Sequence, residues 1–83
     1  SVYPIEIKKS AAMRALYDNL PVELRNSKTV LALHEKILSI KPDKWVGDKV
    51  KEKVVRRGIR SVLDDDKVVI DILEIAKKQR EYW

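Results

Sequence analysis

Lys49, Lys53, Arg56 and Arg60 are the side chains whose types and spacing point most directly to chemistry. Wound at about 100° per residue they form one narrow stripe, opposite the apolar arc of Val50, Val54, Val55, Ile59, Val62 and Leu63 in the same segment. A row of cations spaced this way suits successive phosphates, and would attract nucleic acid or another anionic partner in a salt-dependent, sequence-independent manner. The same row is also what the solvated face of an amphipathic helix looks like, so both readings stand at this point. No aromatic residue is interleaved with the row, and the stacking platforms used on single strands are therefore missing. Residues 41–60 carry eight basic and three acidic side chains, an excess equal to the +5 net charge of the whole chain.

The remaining polar clusters offer less. Asp64-Asp65-Asp66 has the oxygen ligands that magnesium or calcium prefers, but no calcium-loop pattern surrounds it. Carboxylates at a helix start are in any case favoured by capping and by the helix dipole. Pro42-Asp43 followed by Asp65-x-Lys67 formally matches a pattern of metal-dependent nucleases. That chemistry needs its carboxylates and lysine on adjoining strands, whereas these residues fall in a loop and at a helix start. His34 is the single histidine and lies on or beside an apolar stripe, the usual place for a structural imidazole. None of the five serines sits in a G-x-S-x-G turn, and two glycines cannot build a P-loop or a dinucleotide fingerprint. The sequence thus predicts no catalytic residue, no metal ligand and no cofactor-binding residue.

The elements that must position the basic row follow from composition and period. Eighty-three residues make one small domain at most. A chain 45% hydrophobic and 37% charged, poor in glycine and proline, favours a folded helical domain over disorder or a sandwich of short strands. Apolar stripes of helical period predict an all-α bundle of about four helices, over residues 10–20, 27–40, 48–63 and 66–82, behind an extended lead-in at 1–9. Ser10, Asp48 and Asp66 are the predicted caps of the first, third and fourth helices, with Asn26-Ser27 supplying the second. Gly58, inside the third helix, predicts a close helix crossing, and Trp45 a pinned loop over residues 41–48. The short Asp64–Asp66 connection predicts a hairpin of helices three and four. Absence of cysteine and of any long apolar run predicts a cytoplasmic setting without membrane contact. Ser1-Val2-Tyr3-Pro4 begins without an initiator methionine, so the sequence is read as a fragment of a longer protein.

The string Arg14-Ala15-Leu16-Tyr17-Asp18-Asn19-Leu20, behind Pro4, resembles the C-terminal helical region of the restriction (motor and nuclease) subunit of type I restriction-modification enzymes. The likeness continues through an apolar helix, Asp43-Lys44-Trp45, the basic helix Lys49 to Arg60, and Lys77-Lys78-Gln79-Arg80-Glu81-Tyr82. It implies a parent protein with a nuclease domain and ATP- and magnesium-dependent motor domains that pump DNA. It implies for this region a docking role toward the methyltransferase and specificity subunits, while the basic row, read by itself, offers direct contact with the phosphates of duplex DNA as the alternative. None of the parent's catalytic motifs falls on these residues, so no activity is carried over to any position here.

Overall fold

Local capping sets where each helix begins. In a computed structural model of the chain, which describes residues 2–83, helices α1 (Ala11–Asn19), α2 (Ser27–Ile40), α3 (Lys49–Arg60) and α4 (Asp66–Lys77) each start behind a side chain that accepts backbone N–H groups. Ser1, on which the fragment reading rests, lies outside the described residues. Ser10 Oγ accepts from Met13 N, and Asn26 Oδ1 accepts from Thr29 N. Asp48 Oδ1 accepts from Val50 N and Lys51 N, and Asp65 Oδ1 from Lys67 N and Val68 N. The cap of α4 is therefore Asp65 and not Asp66, which is already the first helical residue. Asp48→Ala is expected to cost about 1 kcal/mol, measured by urea denaturation, because two orphan donors at the start of α3 lose their acceptor.

The four helices form an all-α bundle, with no strand among the described residues. α1 packs on α2 and α4, while α3 packs on the same two helices from the other side. Two ion pairs fix the direction of the last two helices. Glu52, near the start of α3, meets Lys77 at the end of α4 (3.3 Å), and Arg60 at the end of α3 meets Asp66 at the start of α4. They are thus an antiparallel hairpin. One continuous core joins Leu16, Leu20, Val30, Leu33, Ile37, Val55, Ile59 and Ile72 with Trp45 and Tyr82. Gly58 marks the α2–α3 crossing: a Cβ there would lie 2.9 Å from Ile40 Cγ2 and 3.3 Å from Lys36 Cγ.

Four features differ from the sequence reading. The lead-in is not extended: Ile7 N and Lys8 N both donate to Pro4 C=O (3.1 Å), and this turn drives Ile7 to 0% exposure. Pro4 opens that turn at a position where its missing N–H costs nothing. α3 stops at Arg60, not Leu63: Ser61 and Val62 form a turn in which Val62 N donates to Ile59 C=O, and Leu63 beyond it still reaches the core. α4 stops at Lys77, where Gln79 becomes extended, and a single 3₁₀ turn, Arg80–Tyr82, follows. An unbroken helix would aim Tyr82 roughly 130° away from the face made by Val69, Ile72, Leu73 and Ala76. The break lets Tyr82 bury completely instead. Val50, assigned to the apolar arc of α3, is 74% exposed, and Leu38 of α2 also faces outward.

Candidate anion-binding face

Along α3 the apolar residues Val55 and Ile59 face the core, which leaves the opposite side of the helix to solvent. Lys49, Lys53, Arg56 and Arg60 are all exposed there, and Arg57 stands beside them. Arg60 is engaged by Asp66 across the hairpin, so it is not an open cation like the others. Lys49, Lys53, Arg56 and Arg57 have no carboxylate within ion-pair distance among the described residues. By helical angle Arg57 lies just beyond the edge of the stripe.

The carboxylates near the row are already occupied. Glu52 accepts from Gly47 N (2.7 Å) and pairs with Lys77, and Asp48 is spent on the helix start. The Lys77 ammonium is held above its ordinary pKa by its hydrogen bond to Glu74, against the opposing effect of burial and with further help from Glu52. Asp71 takes Lys67, whose pKa is likewise raised, first by that hydrogen bond. Between α3 and α4 the surface sinks into a depression of about 440 Å³ lined by Arg56, Arg57, Arg60, Asp66, Val69 and Ile70. A second, of about 200 Å³, lies between Lys49, Lys53 and Leu73, and the two meet at Arg56.

The other singled-out residues are absorbed by the fold. His34 Nδ1 lies 2.7 Å from Tyr82 Oη. Burial, and then the charge of Glu81, push the phenol pKa up, so Tyr82 keeps its proton to donate. The other imidazole nitrogen lies 3.5 Å from Glu81 Oε2, whose partner oxygen accepts from Ser10 Oγ at 2.8 Å. This chain of contacts locks the 80–82 turn onto α1 and α2. Asp65 caps α4 and Lys67 bonds Asp71, whereas Asp43 takes Lys51 Nζ through its backbone carbonyl and not its carboxylate, so the groups of the nuclease-like pattern are not gathered into one site. No group of three or more metal-ligating side chains comes together among the described residues.

Each residue of the Arg14–Leu20 string also has a structural task. Arg14 reaches the Lys8 carbonyl, Ala15 C=O accepts from Asn19 Nδ2, and Leu16 and Leu20 are core. Asp18 accepts from Tyr3 Oη, Tyr17 meets the Tyr3 ring edge-on, and the Leu20 carbonyl takes the Arg25 fork. The string thus fastens the lead-in to α1. Comparison of the chain with protein-family models, with curated proteins and with solved structures returns no match. No helix among the described residues is long and apolar enough to cross a membrane.

Proposed function

We propose that the chain is a non-catalytic helical docking domain of the motor subunit of a type I restriction enzyme. In this role it helps join the ATP-dependent, DNA-translocating endonuclease to its methyltransferase core in the cytoplasm. The domain would need no cofactor of its own, ATP and magnesium being used by the parent's motor and nuclease. One observation carries this reading beyond the sequence resemblance. The Ser10 hydroxyl, the His34 imidazole and the Glu81 and Asp65 carboxylates are tied to caps and to the Tyr82 contact, while large apolar side chains remain outside. Val2 and Ile5 on the lead-in and Val22 after α1 are all strongly exposed, as a surface awaiting a protein partner would leave them.

Two measurements test the proposal. The open reading frame around the chain should encode helicase motifs and a nuclease upstream, and a frame lacking both would overturn the family assignment. The tagged chain should also retain the methyltransferase and specificity subunits encoded with it. Ile5→Glu with Val22→Glu should reduce that retention at least about tenfold, as expected when apolar anchors are lost from an interface. Retention of neither subunit by the parent chain would overturn the docking role.

A further inference from the structure

Beyond docking, and without depending on it, we propose that the outer face of α3 binds the phosphate backbone of duplex DNA through Lys49, Lys53, Arg56 and Arg57. These four cations are exposed and unpaired, and they span nine residues of one helix, or roughly 12 Å. A typical basic helix is flanked by carboxylates that could close on its cations. Here Glu52 is held by Lys77 and Gly47 N, Asp66 by Arg60, Asp71 by Lys67 and Glu74 by Lys77. The carboxylates along this edge thus close on other partners, Glu52 and Glu74 sharing the single charge of Lys77, and none closes on the four cations, whose positive field faces solvent. Such a field is what a polyanion releases its counterions to meet.

The shape of the face selects among polyanions. An acidic partner helix would need an apolar anchor seated in a pocket. Of the apolar residues lining the two depressions, Val69 and Leu73 are buried, and Ile70 alone is open, at 52% exposure. One half-exposed isoleucine is a poor anchor for a protein segment, whereas phosphate contacts require none. Single strands are disfavoured because no aromatic side chain lines either depression. Four cations on one straight helix would lie along a duplex edge and read charge, not bases.

The test uses fluorescence anisotropy of the whole chain with a labelled duplex of about 20 base pairs from 50 to 200 mM salt. If four contacts form, log K should fall against log salt with a slope of about −3 to −4, which is about a hundredfold loss over that range. The quadruple variant Lys49→Gln, Lys53→Gln, Arg56→Gln, Arg57→Gln should bind at least about tenfold more weakly at 50 mM and flatten the slope toward zero. A control that removes the same charge elsewhere, Lys8→Gln, Lys9→Gln, Lys28→Gln, Lys78→Gln, should keep most of the slope. Far-UV spectra of both variants should match the parent. Equal losses in the two variants would overturn the proposal, since net charge alone would then account for binding. So would absence of duplex binding by the parent chain at 50 mM, tighter binding to a single strand, or displacement by polyglutamate as effective as that by unlabelled duplex. None of these outcomes touches the retention of methyltransferase subunits, so the two readings fail separately.

Discussion

Replacing Trp45 with alanine is expected to destabilise the domain by about 3–5 kcal/mol, a large share of the 5–15 kcal/mol typical of a whole domain. Trp45 is fully buried in the loop between α2 and α3, and its indole N–H donates to the Tyr82 carbonyl at 2.6 Å. Alanine would open a cavity the size of an indole and strand a buried carbonyl at once. Two positive-φ residues, Lys44 at 53° and Gly47 at 91°, bend the loop around that side chain, and without it they hold a conformation that nothing requires. Urea denaturation followed by far-UV circular dichroism gives the measurement. Trp45→Phe should cost roughly half as much, because a ring still fills most of the space although the hydrogen bond is lost. A cost below about 1 kcal/mol for Trp45→Ala would mean that the indole does not hold the loop.

The second large effect is expected at Gly58, where leucine should cost about 3 kcal/mol or more by forcing α2 and α3 apart. Alanine is the informative change. It gains about 1 kcal/mol of helix propensity over glycine. Its Cβ, however, would lie 2.9 Å from Ile40 Cγ2, a branched side chain with little freedom to retreat. The two effects nearly cancel, so Gly58→Ala alone should change stability little. Gly58→Ala in an Ile40→Ala background removes the clash and exposes the propensity gain, giving a coupling of about 1 kcal/mol between the two sites. Additive behaviour would show that the helices do not meet where the structure brings them together.

Features that depend on residues close in sequence were legible without the structure. The apolar stripes of α1, α2 and α4 have a period that no strand shares, and Ser10 and Asp48 cap the helices where their hydroxyl and carboxylate predict. Gly58 announced the crossing because a glycine inside an exposed helix needs a reason. Features set by distant residues were not legible. The end of α4 and the hydrogen bonds around Tyr82 depend on His34, Trp45 and Ser10, which lie 48, 37 and 71 positions from their partners in residues 81–82. Ile7 was read as part of an extended segment because nothing local shows that the space beside α1 is open to it. On the basic face, the position of the cations was readable from helical angle, but the pairing of Arg60 with Asp66 exists only once the hairpin has closed.

The 80–82 turn has a consequence for the order in which this unit can assemble during synthesis. Trp45 finds its acceptor and His34 its phenol only in a residue translated 37 and 48 positions later, respectively. Helices α1 and α2 can therefore form as they emerge from the ribosome, but the layer that covers them cannot be completed until Tyr82 has left the exit tunnel. At about 5–20 residues per second the nascent helices wait seconds with apolar faces uncovered, in a chain whose helices individually form in microseconds. Completion is thus set by the pace of translation and not by the search for the fold, and an upstream domain would finish folding before this one could close.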